Sequence, residues 1–264
     1  MNIERDGHVH SPYCPHGSND SFEKYITEAI TKGIKEITFT EHLMFPKEIV
    51  GEEFYKTCAP DEKALECYFK EIDDIKVNYK DKIKVNTGLE VDYIEGYEEE
   101  LRESLNKYGR RLDDGILSVH FLKVEDKFYA VDGLESFEDL LKSVGTLSKV
   151  YDLYFDTLIK AIKSDLGEFK PRRIGHPTLV RIFNKKYPYN YENNKKIDEV
   201  LQAIKEANYE IDVNTAGLRK PYCGEVYPSG YFFNKAKELE IDMVLVLILT
   251  KQKILQQILI KIYK

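Results

Sequence analysis

Several features that define other protein classes are missing from this sequence. It has no tryptophan, and its four cysteines, Cys14, Cys58, Cys67 and Cys223, include no pair at CxxC spacing. We interpret them as free structural thiols in a reducing cytoplasm rather than as a disulfide framework. The apolar stretch at 243–249 is too short for a transmembrane helix, and charged residues interrupt the opening strand, unlike a signal peptide. The net charge of -7 disfavours broad binding to nucleic acid, so we expect a cytoplasmic protein without nucleic-acid or membrane partners.

Short apolar runs alternate with longer amphipathic segments along the 264 residues, of which 42% are hydrophobic and 32% charged. This alternation predicts an α/β fold with a parallel sheet. Seven predicted strands favour a closed or nearly closed TIM-like barrel, (β/α)7, in one domain over residues 1–264, with a doubly wound open sheet as the alternative. The predicted strands are Asn2–His8, Glu36–Thr40, Ile83–Glu90, Gly115–His120, Arg172–His176, Tyr209–Asn214 and Asp242–Leu247.

All six histidines lie at strand ends or in the loop after the first strand. In a parallel barrel the active site lies at the carboxyl ends of the strands, so we expect these side chains to converge there. Imidazoles and carboxylates without a thiolate pair suit zinc, iron, manganese or cobalt in a hydrolytic site, and they exceed the needs of one ion. Asp92 fits a ligand, a supporting residue or an exposed one equally well. The candidate metal ligands are His8, His10, His16, His42, Glu90, His120 and His176.

Two arginines are candidates for binding a substrate anion. Arg181 follows the segment that contains His176, and Arg219 follows the strand that ends at Asn214. A guanidinium binds phosphate through two parallel hydrogen bonds, and metal ions facing it would complete a site for phosphoryl transfer to water. A surface ion pair is the alternative for each arginine.

These motifs resemble those of the PHP (polymerase and histidinol phosphatase) family, and more narrowly its monofunctional histidinol-phosphate phosphatases. The resemblance covers roughly residues 1–245 and is then lost. The matching segments are His8-Val9-His10, the Ser-Pro-Tyr-Cys-Pro-His-Gly run at 11–17, Thr40-Glu41-His42, Gly88-Leu89-Glu90-Val91-Asp92, Ser118-Val119-His120-Phe121, Gly175-His176-Pro177 and the Asn-Thr-Ala-Gly-Leu-Arg run at 214–219.

The resemblance implies a distorted seven-stranded barrel with a trinuclear centre, built from two to three divalent ions of zinc, iron or manganese. It implies that a metal-bridging hydroxide hydrolyses a small phosphate substrate, L-histidinol phosphate, to L-histidinol in histidine biosynthesis. Another phosphoesterase activity of the same family is the alternative. It implies that a first ion is bound by His8, His10 and Glu90, a second by Glu90, His120 and His176, and a third by His16 and His42. Arg181 and Arg219 would bind the phosphate. The implied catalytic residues are His42, Arg181 and Arg219.

The C-terminal segment departs from the family pattern. The last family motif, Gly-Ser-Asp-x-His at the end of the seventh strand, supplies an aspartate to the first ion and a histidine to the third. Neither residue is present here, and no acidic residue follows Asp242, where the 46 acidic residues of the chain predict about four. One set of codons for residues 246–261, read with one added base, gives Gly-Ser-Asp-Ser-His and then an acidic helix. We therefore expect a one-base deletion in the gene or its sequencing; if the tail is real, the chain is a catalytically impaired remnant.

Overall fold

The computed structural model describes residues 4–15, 17–192 and 194–246. The strands are β1 (Arg5–Val9), β2 (Glu36–His42), β3 (Lys84–Asp92), β4 (Asp114–Ser118), β5 (Phe121–Val124), β6 (Lys127–Ala130), β7 (Arg173–Ile174), β8 (Glu210–Asn214) and β9 (Met243–Val246). The α-helices are α1 (Phe22–Thr31), α2 (Glu52–Cys58), α3 (Glu62–Tyr79), α4 (Glu98–Tyr108), α5 (Leu134–Val144), α6 (Leu147–Lys163), α7 (Lys195–Glu206) and α8 (Gly230–Glu238).

Seven strands form one parallel sheet in the order β1-β2-β3-β4-β7-β8-β9. The first and last of these strands contact each other, so the sheet curls into a nearly closed barrel. The predicted seven-stranded α/β barrel is therefore confirmed. The doubly wound alternative is wrong, because the strand order never reverses and provides no switch point. Strands β5 and β6 form a separate antiparallel hairpin, which the sequence patterns did not predict.

The strand bounds differ from the predicted ones mainly at their ends. His120 and His176 were predicted to end strands, but they lie just past β4 and β7. The long helical stretch at 136–162 divides into α5 and α6 at Gly145, whose φ of 89° places it in the left-handed region that favours glycine. Residues 2, 3 and 247, predicted as strand, lie outside the described residues. None of the described helices has the length and apolar character needed to cross a membrane.

Helix α3 shows how the helical layer holds the sheet in place. Its N-cap residue Asp61 accepts a hydrogen bond from the Ala64 amide, which satisfies an otherwise unpaired donor of the first turn. The buried Tyr68 hydroxyl lies 2.8 Å from the Phe39 carbonyl oxygen and 2.9 Å from that of Gly88. This helix therefore fixes β2 and β3, the two strands whose ends carry His42 and Glu90.

A buried guanidinium occupies the interior of the barrel beneath the strand ends. Arg173 is 1% exposed and donates to Asp212 Oδ1 at 2.6 Å, to Asp114 Oδ2 at 2.8 Å and to the Gly7 carbonyl oxygen at 2.7 Å. A Cβ at position 7 would lie 2.5 Å from Arg173 Nη1, so only glycine fits there. The charge of Arg173 is compensated on both sides, as a fully buried cation requires.

Candidate metal centre

Glu90 is the centre on which the predicted histidine ligands converge. It lies near the carboxyl end of β3 and is 1% exposed. Five imidazoles from four separate segments present their Nε2 atoms to its two oxygens. The distances to Glu90 are 3.1 Å from His8, 3.6 Å from His10, 3.5 Å from His42, 3.9 Å from His120 and 3.1 Å from His176.

The electrostatics of this cluster are those of a site that attracts positive charge. Burial opposes ionisation of Glu90, but the charges of His8 and His42 outweigh it and hold its pKa well below the usual range. Burial lowers the pKa of His8, but Glu90 and Asp212 outweigh it and raise that pKa to about 9. Burial likewise opposes the charged form of His120, while Asp92 raises its pKa to about 10. The carboxylates thus hold protons on their histidines, and divalent cations would satisfy the same negative charge.

Among the residues that the structure describes, three groups of side chains have their ligand atoms close enough to hold metal ions. In each group these atoms lie within 4.8 Å of one another. Glu90 belongs to two of them, so its carboxylate is placed to bridge two ions. The groups are His8 with His10 and Glu90, Glu90 with His120 and His176, and His10 with Cys14 and His42.

Residues behind the cluster fix the orientation of its imidazole rings. His8 Nδ1 lies 2.8 Å from Asp212 Oδ2, which turns Nε2 of the same ring towards Glu90. His120 Nδ1 lies 2.5 Å from Asp92 Oδ1, so the supporting role for Asp92 is the one that this geometry favours. Such carboxylate partners set the tautomer and the basicity of a ligating imidazole.

The segment after β7 carries strain that serves the site. His176 has a φ of 29°, a left-handed conformation that is costly for a residue with a side chain. A Cβ on the preceding Gly175 would lie 2.3 Å from Ser118 Oγ, the hydroxyl that donates to Glu90 Oε1 at 2.7 Å. Glycine at 175 thus leaves room for the Ser118 hydroxyl, and the bend that follows brings His176 Nε2 within 3.1 Å of the same oxygen.

The cluster opens into a cavity of about 600 Å³. Arg219 and Lys220 contribute positive charge to its wall, Asp132 contributes negative charge, and Phe54 and Phe121 contribute aromatic surface. A cavity of this size and mixed polarity suits a small molecule that carries both an anionic group and an apolar or cationic part.

The structure separates the two predicted phosphate-binding arginines. Arg219 lines the cavity, whereas Arg181 is not among the described residues that do so. Arg181 is buried, pairs with the Glu225 carboxylate and lies with its guanidinium 4.1 Å from the centre of the Tyr191 ring. It also donates to the Tyr189 carbonyl oxygen at 3.2 Å. These contacts agree with the alternative to phosphate binding, in which Arg181 forms an ion pair, although the pair is buried rather than on the surface.

Two parts of the predicted site lie outside the described residues. They are His16, predicted as a ligand beside His42, and the segment from 247 onward in which the last family motif would occur. Strand β9 ends at Val246, which pairs with Asn214, a residue of the cavity wall. The chain therefore leaves β9 at the edge of the candidate metal centre.

Sequence reasoning missed four functional candidates. Asp212 carried a signal, since it lies two residues before Asn214 and so points to the same face of β8. Cys14 was interpreted as structural because no base stands at a fixed spacing from it. Arg173 and Asp132 had no signal, because their roles depend on contacts between distant segments.

Comparison with known proteins agrees with the motifs. A family model described as the PHP domain matches residues 6–216. The histidinol-phosphatase of Bacillus subtilis is 41% identical over 244 residues, which cover 91% of each chain. A crystal structure of a candidate histidinol phosphatase from Listeria monocytogenes superimposes with a TM-score of 0.87 at 35% identity, covering 92% of this chain and 93% of that one. The histidinol phosphate phosphatase of Lactococcus lactis, solved with zinc, L-histidinol and phosphate, shares the fold at a TM-score of 0.68 and 22% identity, covering 98% and 92%.

Proposed function

This chain belongs to the PHP domain family, in its histidinol-phosphatase branch, and from that premise we propose that it is a metal-dependent phosphomonoesterase that hydrolyses L-histidinol phosphate to L-histidinol and phosphate. The observation that carries the proposal is the convergence of five histidines on the buried Glu90 at the base of a cavity. The B. subtilis relative, at 41% identity over nearly the whole chain, supports the same substrate.

We propose that the centre holds two to three divalent ions of zinc, iron or manganese. His8 and His10 would share one ion with Glu90, while His120 and His176 would share a second ion with the same carboxylate. His42 would hold the third, together with His16. When bound, such ions activate water as a nucleophile and stabilise charge on the phosphoryl oxygens. The donor set of imidazoles around one carboxylate fits borderline divalent metals and leaves coordination positions open for substrate.

The side chains of the cavity wall would bind and orient the substrate. Arg219 and Lys220 place positive charge where a phosphate can enter, and a guanidinium adds two parallel donors to the phosphate oxygens. The family resemblance assigns Arg181 to the same phosphate. In the structure Arg181 pairs with Glu225 and does not line the cavity. We therefore assign the larger share of phosphate binding to Arg219. Phe54, Phe121 and Asp132 offer apolar and anionic surface to the imidazole and ammonium groups of the substrate.

The second candidate function is that of a catalytically impaired phosphatase with weakened metal binding, and the sequence beyond β9 favours it. The Asp-x-His pair that the family places there is absent, so up to two metal ligands are missing from this chain. Fewer ligands weaken metal binding, and turnover then depends strongly on the concentration of free metal. We further propose that residues 1–264 form one domain and that it acts in the cytoplasm, in keeping with its free cysteines and a small-molecule substrate.

The test is phosphate release by the purified chain, loaded with zinc, iron or manganese, from histidinol phosphate and from unrelated phosphomonoesters at matched concentrations. We expect histidinol phosphate to give the highest kcat/KM, chelation to abolish the activity, and added metal to restore it. Equal or better turnover of unrelated phosphates would contradict the proposed substrate and favour another phosphoesterase of the family. Activity that survives chelation would contradict the metal mechanism.

A further inference from the structure

Cys14 lies inside the candidate centre rather than apart from it. It belongs to a tight turn after β1, in which the Cys14 amide donates to the Ser11 carbonyl oxygen at 3.1 Å and the Gly17 amide donates to the Cys14 carbonyl oxygen at 3.0 Å. The residue is 6% exposed. Its sulfur lies within 4.8 Å of the ligand atoms of His10 and His42, which are themselves within that distance of each other.

We propose that Cys14 is a thiolate ligand of the divalent ion held by His42, while His10 stays with the ion that it shares with His8 and Glu90. This inference deepens the proposed function, because it rests on the metal centre described above and names a ligand of it. Binding exchanges the S–H bond of Cys14 for a sulfur–metal bond, the proton leaves to water, and no electron is transferred.

The distances in this group allow one ion to be shared. Zinc bonds of about 2.3 Å to sulfur and about 2.0 Å to imidazole nitrogen, at tetrahedral angles, separate the ligand atoms by roughly 3.5 Å. The sulfur of Cys14 and the ring nitrogen of His42 therefore need to approach each other by about 1.3 Å at most. Rotation of the side chains can supply this without a change in the backbone at Cys14.

A structural role for the thiol is the competing explanation. The Cys14 thiol also forms a hydrogen bond with the buried Glu41 carboxylate. Glu41 has other donors, the Ser11 hydroxyl and the His42 amide, the latter at 3.1 Å. Because these donors remain when the thiol turns to a metal, ligation by Cys14 does not leave the carboxylate without a partner.

A thiolate ligand changes which metal the position at His42 prefers. Sulfur is a soft ligand and favours zinc over manganese and magnesium, whereas the Glu90 positions are built from nitrogen and oxygen alone. The inference thus predicts that the ions of one centre differ in preference, with zinc retained most strongly at Cys14 and His42.

The test uses cobalt(II) in place of the native ions, because cobalt bound to a thiolate absorbs in the near ultraviolet by charge transfer from sulfur. We expect this band in the cobalt-loaded full chain, its loss in Cys14→Ser, and its retention in Cys58→Ser and Cys67→Ser. Cys58 lines the same cavity without joining a ligand group, and Cys67 is exposed. We also expect the zinc affinity of the His42 position to fall at least about tenfold in Cys14→Ser, because even the loss of a residue that only supports a ligand lowers metal affinity by 10–100-fold.

X-ray absorption at the zinc edge of the unsubstituted protein tests the bond without any variant. A sulfur neighbour at about 2.3 Å is expected beside nitrogen and oxygen at about 2.0–2.1 Å. Absence of both this neighbour and the cobalt band, or a band that survives in Cys14→Ser, overturns the inference. A band without hydrolysis of histidinol phosphate leaves the ligand in place and rejects the proposed substrate. Hydrolysis without a band rejects only the ligand.

Discussion

Two buried clusters of charge occupy the barrel, and they differ in whether they are complete. Around Arg173 the guanidinium meets the carboxylates of Asp212 and Asp114 at 2.6 and 2.8 Å, and Arg5 also pairs with Asp114, so each buried charge has a partner of opposite sign within the protein. Around Glu90 one carboxylate faces five imidazoles, which become cationic only by binding protons. The first cluster is a closed structural unit, while the second is arranged to accept cations.

Asp212 connects the two clusters. One of its oxygens accepts from Arg173, and the other lies 2.8 Å from His8 Nδ1. The structural cluster therefore fixes the position of a carboxylate that in turn fixes a candidate ligand. The stability of the barrel interior and the geometry of the candidate metal centre therefore both depend on Asp212.

The largest expected effect comes from Arg173→Met, which leaves the buried Asp212 without its guanidinium and leaves Asp114 with Arg5 alone. We expect the free energy of unfolding to fall by about 3–5 kcal/mol, measured by urea denaturation. Arg5→Met is the matched control, because Arg5 also pairs with Asp114 but is partly exposed. If the two variants lose equal stability, the closed cluster around Arg173 does not have the structural role described here.

Restoring the shifted reading frame at the end of β9 tests whether the cluster around Glu90 lacks metal ligands. In the restored chain glycine replaces Val246, and the family's Asp-x-His pair begins two residues later. We expect more tightly bound metal per chain and a kcat/KM at least about tenfold higher, since single supporting groups at metal sites are worth 10–100-fold. Metal analysis and phosphatase assays of the two chains side by side measure this, and resequencing of the gene shows whether the printed frame is genuine. Equal metal content and activity would contradict the expected loss of ligands.

Asp212→Asn tests the link between the clusters. Replacing the carboxylate by an amide weakens the orientation of His8, and we expect metal affinity or activity to fall by 10–100-fold. Asp114→Asn is the control, because it contacts the same guanidinium without touching a histidine. It should lower stability while metal affinity, measured by competition with a chelator, stays within a few-fold of the original.

The smallest expected effect, counted for each pH unit and each histidine, is the pH dependence of the stability of the metal-free protein. His8 and His120 have folded-state pKa values of about 9 and about 10, above the ordinary 6.5. Their contribution to stability is therefore complete below about pH 6.5 and is lost as the pH rises through 9 to 10. We expect the metal-free free energy of unfolding to decline across this window by up to about 1.4 kcal/mol per pH unit for each histidine.

Urea denaturation of the chelated and the metal-loaded protein at several pH values measures this decline. The metal-loaded protein should not show it, because ligating imidazoles are neutral and metal binding strengthens as protons leave. A parallel decline in both forms would argue that His8 and His120 do not bind metal.

Local pattern alone predicted the barrel and most of the cluster. The two-residue spacing of His8 and His10, and the position of Glu90 near a strand end, depend on the period of a strand and on the rule for parallel barrels. Strand ends were less accurate because His176 follows a two-residue strand and takes a left-handed backbone, which no propensity indicates. The β5–β6 hairpin was missed for a similar reason, since its strands are only four residues each.

The sequence by itself determined the α/β barrel, the set of candidate imidazole and carboxylate ligands, and the departure after β9, because period, residue type and spacing are local properties of the chain. The tertiary structure decided which residues support the ligands and where the arginines point. Asp212 reaches His8 across more than half the chain, Arg181 turns to Glu225 rather than to the cavity, and Cys14 joins His42. Contacts between distant segments depend on how the side chains pack inside the closed barrel, and no local pattern encodes that packing.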